Sequence, residues 1–219
     1  PTHAPGSFTH YVYAMIMVVV MPASCVYASE WKERDRSEGI VIESQDTQDS
    51  DIETIRGIMD VPYSVPSVTK LIFSMKAQRQ YLVALGELIM LSESKSVEGV
   101  LERTVYQRNV YPGVSDRDMV VHFKLRPLST ETGPGSRIVM KLVKNGKKPK
   151  REGTIGLQKL DGVWMVSPLA SGKGTRISYR CHSEVGGYLP DLFINMGQVQ
   201  NLVEMLTNLR RVLVSSISE

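Results

Sequence analysis

The stretch Val163–Asn195, VWMVSPLASGKGTRISYRCHSEVGGYLPDLFIN, decides how this chain folds. Two short apolar runs, Trp164–Leu169 and Thr175–Cys181, flank the turn-forming sequence Ala-Ser-Gly-Lys-Gly, and this pattern predicts a β-hairpin. The pair Gly186-Gly187 then ends the second strand, and Pro190 suits the first turn of a helix. A sheet edge that passes directly into a long closing helix indicates a curved sheet that holds one helix.

The length and composition favour one sizeable domain. The chain has 219 residues, of which 42% are hydrophobic, and it carries a formal net charge of +3. Neither this mild charge nor the aromatic content of 7% favours a nucleic-acid-binding protein. No period of about 20–50 residues repeats, so the sequence excludes a solenoid.

The N-terminal segment has the composition of a signal peptide. His10–Met21 is an apolar run that is too short to span a bilayer comfortably, and charged residues begin abruptly at Glu30. Small side chains at Val26 and Ala28 predict cleavage after Ala28. We therefore expect a signal peptide over 1–28, a mature domain over 29–219, and a periplasmic or secreted location.

Alternative interpretations of this segment are a buried strand or an anchor helix. Ala23-Ser24-Cys25 also resembles the end of a bacterial lipoprotein box, although Pro22 stands where that pattern has Leu. Cleavage after Ala28 would remove Cys25 and leave Cys181 as the only thiol, so that no intramolecular disulfide could form. We interpret Cys181, in its apolar strand, as a small buried hydrophobic residue.

The hydrophobic pattern of the mature segment predicts an α+β fold. We expect three helices: a short one over Trp31–Ser37, a second over Ser67–Leu85 capped by Ser67, and a long last one that reaches Leu213. We expect five strands over Gly39–Ser44, Ile52–Val61, Glu87–Ser92, Gly99–Arg108 and Asp116–Arg126. A loop over Ser129–Ser136 then leads to a hairpin of Arg137–Lys144 with Thr154–Leu160 around the basic tip Lys144–Arg151. This order indicates an antiparallel sheet with its helices on one side.

One face of the predicted sheet is dry. Period-two alternation places apolar side chains on one side of three strands, and the last helix turns a further apolar stripe toward them. The candidate ligand-binding residues are Arg117, Met119, Val121, Phe123, Ile138, Met140, Leu142, Ile177, Tyr179, Leu192, Met196, Val199 and Val203. They form either an ordinary core or the wall of a cavity.

Arg117 favours the cavity, because a charge on a dry face is costly unless it is paired. Taken by itself, it would form an internal salt bridge, for which Glu87, Glu98 and Glu102 are candidates. The four histidines are scattered, and His122 and His182 fall on the predicted solvent face. The sequence contains no metal-ligand spacing and no nucleophile motif, so we assign no catalytic residue, metal or cofactor.

Several motifs in order resemble the START (StAR-related lipid transfer) domain family of the Bet v 1-like helix-grip superfamily. They are Trp31 with Gly39-Ile40-Val41, Asp116-Arg117-Asp118, Gly162-Val163-Trp164, Gly174-Thr175-Arg176-Ile177-Ser178-Tyr179, and Gly186-Gly187-Tyr188-Leu189-Pro190. The resemblance covers Trp31 to Leu213, and it departs from the family where Gln80-Tyr81-Leu82 replaces the usual Trp. It implies a helix-grip fold, in which a curved antiparallel β-sheet is wrapped around a long C-terminal α-helix and encloses one lipid-sized tunnel. The resemblance also implies that Arg117 lies in this tunnel and contacts a lipid hydroxyl or headgroup.

Two functions from different classes follow. The resemblance implies a monomeric, soluble lipid-binding or lipid-transfer protein that holds a sterol, phospholipid or similar molecule and has no nucleic-acid partner. The alternative is a helix-grip enzyme of cyclase or hydrolase type that acts on a hydrophobic substrate, since fold does not fix function. The basic tip predicts at most a transient contact with an anionic membrane. Gly186-Gly187 is a candidate hinge for ligand entry, and the loop Ser129–Ser136 is a second candidate lip.

Overall fold

A computed structural model describes residues 29–144, 146, 149 and 151–217. The predicted signal peptide over 1–28, including Cys25, lies outside the described residues, as do residues 145, 147, 148 and 150 of the basic tip. None of the described helices has the length and apolar content needed to cross a membrane.

Ten strands form one sheet. They are β1 (Lys32–Ser37), β2 (Ile40–Thr47), β3 (Ser50–Val61), β4 (Leu85–Lys95), β5 (Leu101–Asn109), β6 (Asp116–Thr130), β7 (Gly133–Leu142), β8 (Thr154–Gly156), β9 (Lys159–Pro168) and β10 (Thr175–Glu184). The sheet order is β1-β2-β3-β10-β9-β7-β6-β5-β4, and short β8 pairs with β6 in parallel. Three helices, α1 (Val65–Phe73), α2 (Met75–Tyr81) and α3 (Asp191–Ile217), complete the described chain. The predicted α+β helix-grip architecture is confirmed.

The predicted helix over Trp31–Ser37 is wrong, because this segment forms the edge strand β1 along β2. Most of its side chains are exposed, and its charges pair across the sheet, as Lys32 does with Asp46 and Arg34 with Glu53. Charged side chains are common on edge strands, where they discourage pairing with other chains. Spacing alone could not separate this pattern from that of a surface helix.

The predicted single helix over Ser67–Leu85 is two helices. Ser64, and not Ser67, caps α1, and its hydroxyl accepts from the Ser67 amide. Ser74 has extended backbone angles and caps α2 by accepting from the amide of Ala77. A serine hydroxyl that satisfies a free amide in this way offers the backbone an alternative to a continuous helix.

The segment that follows β6 also differs from the prediction. β6 continues to Thr130 and forms a tight hairpin with β7, so the predicted loop Ser129–Ser136 is largely strand. Gly133 has φ 122°, which accommodates the turn. The predicted hairpin of Arg137–Lys144 with Thr154–Leu160 is wrong: β7 pairs with β6 and β9. Pairing of β7 with the long strands β6 and β9 satisfies more of its backbone N–H and C=O groups than a local hairpin with residues 154–160 would.

His182 was expected on the solvent face of β10, but it is only 5% exposed. Its Nε2 lies 3.2 Å from Glu184 Oε1, and its Nδ1 lies 3.4 Å from Thr47 Oγ1. Thr47 belongs to the β2–β3 hairpin, which therefore packs over the end of β10. Hydrogen bonding at both ring nitrogens allows this polar ring to be buried.

The second half of α3 lies against the sheet. Its four leucines, which follow the helical spacing of one face, are almost fully buried: Leu202, Leu206, Leu209 and Leu213. Gly57 of β3 permits the close approach, because a Cβ atom there would lie 2.5 Å from Leu206 Cδ1. Glycine inside a strand commonly marks such a close contact with another element.

Candidate ligand cavity

A cavity of about 330 Å³ lies between the inner face of the sheet and the helices α2 and α3. Its lining is mainly apolar. The strands and the loops that follow them contribute Ile55, Val114, Met119, Phe123, Met140, Leu157, Leu160, Trp164, Tyr179, Cys181 and Leu189. The helical side contributes Tyr81, Leu82, Val83, Phe193, Ile194, Gly197, Leu202 and Met205. Volume and lining are those of a small-molecule pocket.

Three aromatic side chains form one wall of the cavity. The ring centroid of Trp164 lies 4.3 Å from that of Tyr179 and 6.4 Å from that of Tyr81. Burial raises the pKa of both tyrosines far above their usual value, so both hydroxyls are neutral. Burial also raises the pKa of the neighbouring Cys181 thiol to about 11, which makes it an unreactive part of the wall.

Arg117 is buried at one end of the cavity, with 4% of its surface exposed. Its Nε donates to the Val185 carbonyl at 2.8 Å, its Nη2 donates to the Gly186 carbonyl at 3.2 Å, and its Nη1 donates to the Ser115 carbonyl. Backbone carbonyls thus surround the charge, and the guanidinium holds the segment that leads into α3.

The acidic residues proposed as partners of Arg117 do not pair with it. Glu87 forms ion pairs with Arg108 and Arg151, and Glu102 pairs with Lys124 at 2.5 Å. Within the described part of the chain, Arg117 makes no ion pair. Carbonyl oxygens carry the partial negative charge that the predicted carboxylate was expected to supply.

The structure brings some of the predicted site residues together at the cavity. Arg117, Met119, Phe123, Met140 and Tyr179 line it. Val121, Ile138, Leu142, Ile177, Val199 and Val203 belong to the surrounding core without lining it. Contact of these residues with a ligand stays a prediction.

The start of α3 presents a different face from the expected one. Leu192 and Met196, which were predicted to point toward the sheet, are 66% and 49% exposed. Ile194 and Gly197 line the cavity in their place, together with Phe193, which is itself 65% exposed. One cause is visible at Asn195, whose side chain accepts from the Glu53 amide at 3.0 Å and donates to the Asp51 carbonyl at 3.1 Å. This tertiary contact fixes the rotation of the helix, and the hydrophobic pattern does not report it.

Sequence reasoning missed the uncharged polar residues of the lining. These are Gln78, Gln107, Asn109, Tyr111, Ser183, Gln198 and Asn201. Two of them extend the apolar stripe of α3, since Ile194, Gln198, Asn201 and Met205 follow the helical spacing of one face. This helical spacing was the feature of the sequence from which the inward position of Gln198 and Asn201 could have been predicted.

The segment between β10 and α3 needs its two glycines. Gly186 and Gly187 have φ values of 66° and 81°, in the region that other residues rarely adopt. A Cβ atom at Gly187 would also lie 3.2 Å from Ile155 Cδ1 and 3.3 Å from Arg117 Nη2. The two glycines therefore form a tight connection beside Arg117, in a conformation that would be strained for any other residue.

No family model and no curated protein sequence matches the chain. Solved structures do. The STAR-related lipid transfer protein (fragment 25–204) from Xanthomonas axonopodis is 24% identical, with a TM-score of 0.71 over 84% of this chain and 98% of that chain. Human STARD10 is 13% identical, with a TM-score of 0.72 over 86% of this chain and 74% of that chain. Human StAR-related lipid transfer protein 5 is 15% identical, with a TM-score of 0.67 over 86% and 88%.

These similarities agree with the ten-stranded antiparallel sheet and its long last helix. At these identities they establish the fold and nothing finer. The resemblance noted in the sequence is thus confirmed by the structure, and the chain has the helix-grip fold of the START-related lipid transfer proteins.

Proposed function

We propose that this protein binds one hydrophobic molecule in the cavity and acts as a lipid-binding or lipid-transfer protein. The observation that carries the proposal is the apolar cavity of about 330 Å³ beneath the first half of α3. Removal of an apolar ligand from water into such a cavity stabilises the complex by about 25 cal/mol per Å² of buried surface. The lipid-transfer proteins that share the fold support the same conclusion.

The size of the cavity bears on the class of ligand. Its volume lies near the lower end of the range of about 300–1,000 Å³ that is typical of small-molecule sites. This supports a single-chain amphiphile or a compact ring system over a two-chain phospholipid in the present conformation. Export and a monomeric state stay predictions from the sequence.

Native mass spectrometry tests the proposal directly. We expect the purified protein to retain one hydrophobic molecule and, after delipidation, to take up one molecule from a panel of sterols, fatty acids, fatty alcohols and phospholipids. A protein that remains empty against the whole panel would refute the proposal. Chemical analysis of the recovered ligand separates the alternatives, because a carrier returns it unchanged and an enzyme of cyclase or hydrolase type returns a product.

Ligand entry requires an opening, and we propose the first half of α3 as the gate with Gly186-Gly187 as its hinge. Residues 191–200 are mostly exposed or half-buried, yet Phe193, Ile194 and Gln198 line the cavity. Movement of this half-helix would uncover the cavity while the rest of α3 stays packed. Gating elements generally belong to the less stable parts of a fold.

A reversible crosslink tests the gate. The Asn195 side chain contacts the Glu53 backbone amide at 3.0 Å, so the two positions are neighbours, and the variant Glu53→Cys/Asn195→Cys is designed to crosslink α3 to β3. We expect the oxidised variant to exchange ligand far more slowly than the reduced one and to keep a ligand that was bound before oxidation. The single-cysteine variants serve as controls, and equal exchange rates in both redox states would place the gate elsewhere.

A further inference from the structure

Two glutamine residues on the helical side of the cavity have buried amide atoms without partners among the described residues. Gln78 of α2 is 4% exposed, and its Oε1 has no hydrogen-bond partner among the described residues. Gln198 of α3 has neither an acceptor for its Nε2 nor a donor for its Oε1 there, although both atoms are buried. Both residues line the cavity. Buried polar atoms are normally hydrogen-bonded, so each unpaired atom indicates a missing partner.

The orientation of the Gln78 amide follows from its surroundings. Ser74 ends α1, which leaves the Ile72 carbonyl without a helical partner. Gln78 Nε2 donates to this carbonyl at 3.2 Å, and the Tyr81 hydroxyl donates to it at 2.8 Å. Because a carbonyl oxygen only accepts, the nitrogen of Gln78 must face Ile72 and its oxygen must remain free. Gln78 therefore presents an acceptor without a donor.

Gln198 presents one acceptor and one NH₂ donor group in either orientation of its amide. The two residues together require a partner group that can donate as well as accept. A carboxylate, an ether or a ketone only accepts, and each would leave the amide oxygens unpaired. A hydroxyl does both: its oxygen can accept from the Gln198 NH₂ group, and its single hydrogen can be donated to one of the two glutamine oxygens.

We infer that the ligand is a hydrophobic alcohol whose hydroxyl group is recognised by Gln198 and Gln78. The inference rests on the proposed function, since it names the ligand class of the same cavity. Arg117 makes an anionic ligand the competing possibility, but its guanidinium already donates to three backbone carbonyls, while the glutamine oxygens have no donor.

The test uses three probes with the same chain length on the full delipidated protein: 1-tetradecanol, tetradecyl methyl ether and tetradecanoate. Binding is measured by competition in native mass spectrometry at neutral pH. The key variant is Gln198→Met, which replaces an amide that has no partner among the described residues by an apolar group of similar length. The matched control is Gln200→Met, the same substitution at an exposed position of α3.

We expect the unmodified protein and Gln200→Met to bind the alcohol about tenfold more tightly than the ether or the carboxylate. Gln198→Met should lose this preference and still bind the ether. Gln78→Met should act in the same direction, and if it loses the fold along with its bond to Ile72, Gln198→Met decides alone.

Equal affinity for the three probes, a preference for tetradecanoate, or an alcohol preference that survives in Gln198→Met would overturn the inference and leave the proposed function standing, because a hydrophobic molecule would still be bound. Failure of the unmodified protein to bind any of the three probes would overturn the inference, and the wider ligand panel would then decide the proposed function separately.

Discussion

At Gly57 the sheet and its closing helix approach each other closely, and replacement of this residue by alanine measures that contact. The new Cβ atom would lie 2.5 Å from Leu206 Cδ1 and 3.2 Å from Ile42 Cδ1 and Leu202 Cδ2. All three neighbours are almost fully buried, so none of them can turn into solvent. Helix or sheet must shift by several tenths of an ångström.

The free energies decide the expected sign. Forcing a methyl group into a packed core costs about 1–3 kcal/mol. Replacement of glycine by alanine returns about 0.4–1 kcal/mol, because the unfolded chain loses freedom. Gly57→Ala should therefore lower the free energy of unfolding by about 1–2 kcal/mol. Leu206→Ala alone should lower it by about 2–5 kcal/mol, since it leaves a cavity.

The two substitutions should compensate each other. With Leu206 truncated the nearest atom is gone, and Gly57→Ala should then be neutral or stabilising. Urea denaturation of the four proteins in the double-mutant cycle gives the coupling, for which we expect at least about 1 kcal/mol. Additivity within about 0.5 kcal/mol would show that the helix does not press on Gly57.

Three further predictions concern single side chains. Arg117→Met should lower the free energy of unfolding by about 3 kcal/mol and speed ligand exchange, because three carbonyls lose their donor; unchanged urea curves and exchange rates would contradict this. In a Cys25→Ser background, iodoacetamide at pH 8 should not label Cys181 until the protein opens, since the pKa of this thiol is about 11 and it is buried, and bound ligand should slow labelling further. The hydrogen bond from His182 lowers the pKa of Glu184 in the folded protein. The stabilisation that this hydrogen bond gives the folded state is therefore present above the unfolded pKa of about 4.3 and is lost as the pH falls through the lower folded pKa. Glu184→Gln should weaken the fall of the melting temperature with decreasing pH, and an unchanged fall would exclude this contribution.

The parts of the fold that could be predicted are those where burial imposes a period. β10 alternates over Thr175–Cys181 because one side of the strand faces the core, and the leucines of α3 repeat because one stripe of the helix is buried. β6 alternates less clearly, because residues 117–121 are buried on both sides of the strand. β1 has almost no burial, so its spacing carried no information about its partner. The break at Ser74 depends on one side-chain hydrogen bond, which hydrophobic periodicity does not detect.

The candidate site divides in the same way. Its apolar wall on the strands follows from alternation and was predicted in part, as Met119, Phe123 and Met140 show. The amides on the helices were missed because glutamine on a helix usually faces solvent. The contact of Asn195 with β3 helps to fix the rotation of α3 that turns Gln198 inward, and a contact between residues so distant in sequence is not contained in local spacing.

The same contacts explain why α3 should open at its start and not at its end. Release of the first half breaks the two hydrogen bonds of Asn195, each of which contributes about 0.5–1.5 kcal/mol net, and exposes side chains that are already partly in water. Release of the second half would expose Leu206, Leu209 and Leu213, at about 1.5–3 kcal/mol each. The difference of several kcal/mol in free energy favours motion of the first half of α3 about Gly186-Gly187. Because the Arg117 guanidinium donates to the carbonyls of Val185 and Gly186, these hydrogen bonds should control how readily a ligand can leave.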